Sequence, residues 1–189
     1  ILVQTQNDHM VAKDEDPVLV KVRRREYVLD ALGVRGEAAV ADIGAGSGIF
    51  VRVAAHKTVG SIYAVEISDA FLKLLEEYKK AEHIANMEIV KATDNSVGCP
   101  MQSCDAVLLA TVLHELENPE EILSEISRIL KPEGVLGIIE WRDEATPMGP
   151  PLDHRISTDC IHEVLSAAGF KVLRQENLSD NFNFFVTTK

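Results

Sequence analysis

The segment Asp42-Ile43-Gly44-Ala45-Gly46-Ser47-Gly48 carries the densest chemical signal in the chain. Glycines at 44, 46 and 48 remove Cβ atoms from a turn, so the backbone there can come close to a ligand. Asp42 places a carboxylate two residues before the first glycine; an anion at that point repels a pyrophosphate and favours a cationic ligand. A dinucleotide loop reads G-x-G-x-x-G, and its third glycine position is Ile49; no Lys follows the glycines, as the phosphate loop G-x-x-x-x-G-K-[ST] requires. The plain alternative is a tight turn. Glu66, 22 positions beyond Gly44, is spaced to accept hydrogen bonds from both ribose hydroxyls of an adenosine; by itself it reads equally as a solvated strand end. Asp94 and Asn95 can address an adenine edge or form an Asx turn. His114 has the unperturbed pKa of a general base, and Glu115 follows it. Glu140 and Trp141 would line the same pocket, and His154 and Arg155 would either orient a polar substrate or simply pin their own loop.

These residues need elements to bring them together, and the hydrophobic pattern supplies them. A helix is expected over about 17–32, opened by Pro17 and ended by Gly33. Strands are expected over 38–43, 61–66, 87–91, 104–110 and 135–141, with a helix over about 48–57 and another capped by Ser68 or Asp69. In the latter, Phe71, Leu74, Leu75 and Tyr78 recur at helical spacing. Asn118-Pro119-Glu120-Glu121 reads as a helix start with Glu121 in a capping box, and Lys131-Pro132-Glu133-Gly134 as a turn. A last helix around 161–168 precedes a hairpin of 171–178 and 182–188. Such alternation implies an α/β fold with a mostly parallel sheet covered on both faces. The glycine cluster, Glu66, Asp94 and His114 all fall at or just beyond carboxyl ends of strands, where ligands bind in such sheets.

The 189 residues fit a single domain. Nineteen Lys and Arg against thirty Asp and Glu give a formal charge of −11, which argues against nucleic acid as a partner, although Arg23-Arg24-Arg25 is a local basic patch. No apolar stretch is long enough to span a bilayer, and residues 1–8 lack the features of a secretory signal. Cys99, Cys104 and Cys160 lack metal-site spacing and read as reduced, buried thiols of a cytoplasmic protein, with no metal site.

On D-I-G-A-G-S-G at 42–48, Y-A-V-E at 63–66, A-T-D-N at 92–95, D-A-V-L-L-A-T-V-L-H-E-L at 105–116 and L-K-P-E-G-V-L-G-I-I-E-W at 130–141, the sequence resembles the class I S-adenosylmethionine-dependent methyltransferases, in the small single-domain group related to quinone C-methyltransferases. Trp141 to Ser157 resembles a subgroup's stretch as well. Where many relatives have an acid-proline pattern before the fourth strand, this chain has Val97-Gly98-Cys99-Pro100. The resemblance implies a Rossmann-like three-layer sandwich with a seven-stranded sheet whose last strand is antiparallel. It implies S-adenosylmethionine as cofactor, with Gly44, Ala45, Gly46 and Gly48 at its methionine end and Asp42 in support. Glu66 would hold the ribose, Ile67 would pack on adenine, Asp94 and Asn95 would contact its edge, and the Ala110 carbonyl would meet the amino group. The expected activity is in-line methyl transfer to a small molecule; the alternatives are a nicotinamide-dependent oxidoreductase and a non-enzymatic binder of the same cofactor. The loop from Thr146 to Arg155, with Gly149 as its joint, is expected to close as a lid.

Overall fold

In the computed structural model, residues 17–146 and 148–189 are described, with side chains from residue 23 onward except that of Pro147. The elements run α1 (Pro17–Ala31), β1 (Val40–Ile43), α2 (Ile49–Ala54), β2 (Ile62–Glu66), α3 (Asp69–Ala81), β3 (Met87–Lys91), β4 (Cys104–Ala110), α4 (Pro119–Ile129), β5 (Leu130–Trp141), α5 (Thr158–Ala167), β6 (Lys171–Asn177) and β7 (Phe182–Thr188). Single tight helical turns occupy Leu113–Glu115 and Leu152–His154.

The seven strands form one sheet in the order β3-β2-β1-β4-β5-β7-β6. Pairings are parallel from β3 through β5, and β7 lies antiparallel between β5 and β6. Side chains alternate between two cores. Ala41, Ile43, Val107 and Leu109 face α4 and α5, which contribute Ile122, Ile126, Ile161 and Leu165. Val40, Ala106 and Leu108 face α1, α2 and α3, which contribute Leu29, Val51 and Leu75. Apolar side chains on both faces of the inner strands thus build a helix–sheet–helix sandwich. The chain winds outward in one direction from β1 and in the other from β4, so a crevice opens beyond their carboxyl ends.

Several sequence expectations are corrected. Helix α2 stops at Ala54, short of Lys57, because the His56 and Lys57 amides bond to Val53 and Ala54, three residues back, and tighten the end into a turn. On α3 only Leu75 is fully buried; Phe71 and Leu74 are 41% and 48% exposed, since this helix covers the sheet edge at β2 and β3. The capping box at α4 is not made: the Asn118 side chain caps nothing. Lys131 to Gly134 lie inside β5, bulging between the Leu130–Cys104 and Val135–Ala106 pairs, with Lys131 Nζ 2.7 Å from Asp105 Oδ2. Among the described residues no helix is long and apolar enough to cross a membrane.

Candidate functional site

The β1–α2 turn is stiffened from within. Gly44, Gly46 and Gly48 have φ of +72°, +53° and +78°, the left-handed region that glycine tolerates. The Gly44 and Ala45 amides donate to Val65 O at 2.9 and 3.0 Å, and Gly48 N donates to Ala45 O at 2.8 Å. Gly46 N donates to Glu66 Oε2 at 2.8 Å. Four of the five amides of 44–48 are therefore spent on the protein, and the turn offers no nest of free N–H groups for a phosphate.

Glu66 is buried, 7% exposed. Its Oε1 also accepts from Ile67 N at 2.8 Å and Ser68 N at 2.9 Å. A carboxylate has about four acceptor positions, so three internal bonds leave it one acceptor position. Its neighbour Asp42 is 5% exposed, and its carboxylate has no hydrogen-bond partner among the described residues. Burial, and then the Glu66 charge, push the Asp42 carboxyl up to about 7.

A cavity of about 750 Å³ opens over this turn. Its lining brings together Gly44, Gly46, Glu66, Ile67, Asp94, Asn95, Ala110 and Glu115 from the predicted set. Asp42, Ala45 and Gly48 are not among its lining residues. Five of the lining residues are acids — Glu66, Asp94, Glu115, Glu117 and Glu121 — and none is Lys or Arg. A Cβ on Gly44 would lie 2.4 Å from Val112 Cγ2, so the bare backbone at this position is a steric requirement.

Sequence reasoning missed several parts of this site. Phe71, Thr111 and Val112 line it, and Glu121, read as a cap, lines it instead. Thr111 has φ +57°, an outlier for a β-branched residue. Its amide donates to Ile139 O and its hydroxyl to Ala110 O, both at 2.7 Å, which takes up part of the Ala110 carbonyl's acceptor capacity. Glu125 on α4 holds the loop after β3: its Oε2 accepts from Ser96 Oγ at 3.0 Å and Val97 N at 3.3 Å. The Arg128 guanidinium beside it, helped by those bonds, holds the Glu125 carboxyl down at about 2. The signal for this pair was present in the sequence only as an i, i+3 charge pair on one helix.

His114 and Glu140 adjoin the cavity through Glu115. Glu140 is fully buried, so it does not line the pocket as expected. His114 Nδ1 lies 2.8 Å from Glu140 Oε2, while the amides of His114 and Trp141 donate to Oε1 and Oε2 at 3.3 and 3.2 Å. Burial raises the Glu140 carboxyl, and the imidazole and two amides pull it back. Trp141 turns away to stack on Phe182 at 4.3 Å between ring centres. Arg155 donates to the carbonyls of Pro150, Arg142 and Glu144 at 2.9, 2.7 and 3.0 Å, which pins the loop. Gly149 is no open joint, because a Cβ there would meet the Trp141 ring at 2.6 Å. His154 is exposed and apart from the cavity lining. Cys99 and Cys104 are buried and Cys160 half-buried, all as free thiols; burial pushes Cys99 up to about 12.

A doubly wound sheet with a glycine turn, a buried strand-end acid and an acid-lined crevice makes a site that favours a cationic ligand over a pyrophosphate. The match to known proteins is narrower. The family model described as methyltransferase domain covers residues 41–138, just over half of the chain, and the chain belongs to that family. It is similar to a sterol 24-C-methyltransferase of Gibberella zeae, 28% identical over 84% of this chain and 46% of that protein. A ubiquinone/menaquinone biosynthesis C-methyltransferase of Salmonella arizonae is 26% identical over 85% of this chain and 62% of its own length. The chain spans about half the length of the curated relatives it matches. A solved S-adenosylmethionine-dependent methyltransferase from Aquifex aeolicus superimposes with a TM-score of 0.82 at 25% identity, over 92% of this chain and 98% of that one.

Proposed function

We propose that this chain binds S-adenosylmethionine in the cavity over the glycine turn and directs transfer of its methyl group to a small-molecule acceptor. The observation that carries the reading is the charge of the site: five carboxylates, no basic side chain, and a glycine turn whose amides are already bonded. That surface favours a cation and disfavours a pyrophosphate, so it supports a sulfonium nucleoside over a nicotinamide dinucleotide. The residues fit the group. Glu66 would take one ribose hydroxyl, Ile67 and Phe71 would cover adenine, Asp94 and Asn95 would meet its edge, and Gly44 with Ala110 would flank the methionine end.

When bound, the cofactor supplies a methyl group activated by attachment to positively charged sulfur. The protein's own contribution is alignment and exclusion of water. Val112 and Ile122 line the cavity as apolar walls, and in a drier site the dispersal of charge during transfer is less opposed by solvation. A small molecule, rather than nucleic acid, fits an acid-lined cavity on a chain of net charge −11, and the named relatives are a sterol 24-C-methyltransferase and a ubiquinone/menaquinone biosynthesis C-methyltransferase. Free, buried thiols support a reducing, cytoplasmic setting.

Calorimetry with S-adenosylmethionine and S-adenosylhomocysteine should show binding of both, with no binding of reduced nicotinamide dinucleotide. A folded protein that binds neither adenosyl compound overturns the proposal. Labelled S-adenosylmethionine with a metabolite extract then separates an enzyme, which transfers label, from a protein that only binds.

A further inference from the structure

We propose that Glu140, His114 and Glu115 form a proton-accepting relay at the cavity edge, and that the acceptor is a neutral molecule with a phenolic or enolic hydroxyl; this rests on the methyl-transfer reading above. A fully buried carboxylate is an expensive way to fasten a turn to a strand, because apolar residues do so without desolvating a charge. Glu140 has one side-chain partner, the imidazole Nδ1 at 2.8 Å, and both its oxygens also take backbone amides. With the carboxylate ionised, Nδ1 must carry the hydrogen, which leaves the lone pair of a neutral ring on Nε2. That atom lies 3.9 Å from Glu115 Oε1, too far for a hydrogen bond but close enough to stabilise an imidazolium. Glu115 lines the cavity and its side chain is 71% exposed, so it connects Nε2 both to the site and to solvent. Among the described residues, the charged groups facing His114 are Glu140 from β5 and Glu115 from its own turn.

An imidazole prepared in this way serves only an acceptor that must lose a proton; thioethers and tertiary amines already expose a lone pair. An aliphatic hydroxyl is too weak an acid for it, whereas a phenol near 10 lies within a few units of the ring. Five carboxylates around the cavity disfavour entry of a preformed phenolate, so the anion has to be made inside. In the step, the acceptor O–H bond breaks and its proton passes by way of the Glu115 carboxylate to Nε2. The O–C bond forms as the carbon–sulfur bond breaks, and the sulfur leaves with the electron pair as a neutral thioether. The imidazolium proton then leaves past Glu115 to water, and Glu140 holds the ring throughout as a positioning residue.

Imidazole nitrogen shifts, followed across neutral pH in the cofactor-free protein, test the relay without turnover. Neutral His114 should be the Nδ1–H tautomer, and Glu140→Gln should populate the Nε2–H tautomer as well, because an amide can meet Nδ1 as donor or acceptor. An Nε2–H tautomer in the parent, or a tautomer unmoved in Glu140→Gln, overturns the relay. His114→Asn keeps a donor near the Nδ1 position and deletes Nε2. It should melt with the parent, bind S-adenosylhomocysteine equally, and lose about a hundredfold or more in methylation of a set of hydroquinones, catechols and 1,3-diketones. Retention within threefold overturns the role of His114. A parent protein that binds the cofactor yet methylates no member overturns the acceptor class, whereas failure to bind the cofactor counts against the methyl-transfer reading instead.

Discussion

Asp42 is held where a charge is costly, and its consequences are measurable. An unfolded aspartate titrates near 3.9, and the folded one at about 7. Between those values the folded state binds the extra proton, so its contribution to stability is full below about pH 4 and is lost as pH rises through 7. Asp42→Asn removes that slope. Its stability advantage over the parent should widen by roughly 2–3 kcal/mol between pH 5 and pH 8 in denaturant titrations; parallel pH profiles would remove Asp42 from its assigned environment. A cation in the adjoining cavity favours the ionised form, so S-adenosylmethionine binding near pH 6.5 should release a proton, detected as a buffer-dependent heat.

Glu66 yields a second prediction at this scale, and there the structure changes the expectation. From the sequence alone it reads as a ribose acceptor or a solvated strand end, with no structural partner of its own. It accepts three backbone amides, so in Glu66→Gln the amide N–H₂ must face one of those donors. The variant should lose about 1–3 kcal/mol of stability as well as roughly tenfold to a hundredfold in cofactor affinity. Thermal melts and calorimetry read the two effects separately, and unchanged values in both would exclude the arrangement. The Gly46 contact, twenty residues away in sequence, leaves no local pattern, which is why it was not legible.

Among the elements, legibility followed locality. Strands β3, β4 and β7 have the bounds that the sequence implies, since each is set by its own local run of residues. The capping box failed because Asn118 and Glu121 both line the cavity, a tertiary use that the local motif does not encode. Thr111 was invisible for a similar reason: its backbone conformation is imposed by the Ile139 carbonyl across β4 and β5. At the glycine turn the sequence was informative, and the structure adds the reason. Gly44→Ala combines a strained φ, costing about 1–2 kcal/mol, with a clash against Val112. It should destabilise by about 2 kcal/mol or more and abolish measurable cofactor binding, and adding Val112→Ala should recover part of the stability but not the strain. Equal loss in the single and double variants would show that the clash is not what matters.

At the scale of the whole molecule, the formal charge of −11 and the acid-lined cavity act together as a field. S-adenosylmethionine carries one positive charge more than S-adenosylhomocysteine, so the ratio of their affinities should shrink as salt rises from about 0.05 to 0.5 M and the Debye length contracts. A ratio independent of salt would mean that the acids do not select the sulfonium. The global architecture was the most legible level of all, because strand–helix alternation admits few windings. The position of the site followed from it; the partners of the buried acids did not.

Strand β7 lies between β5 and β6, yet it is made after both. On the ribosome, then, a stage exists at which β5 has emerged with the edge that will meet β7 still unpaired, and the strand bearing Glu140 offers its open backbone to any other nascent chain. A message cut between the codons for Trp141 and Phe182 would freeze the protein at that stage. The glycine turn and most of the crevice would already be encoded, but the product would be an incomplete sheet with an open edge, so premature stops in this interval should be lost to aggregation or proteolysis rather than yield a weakened protein.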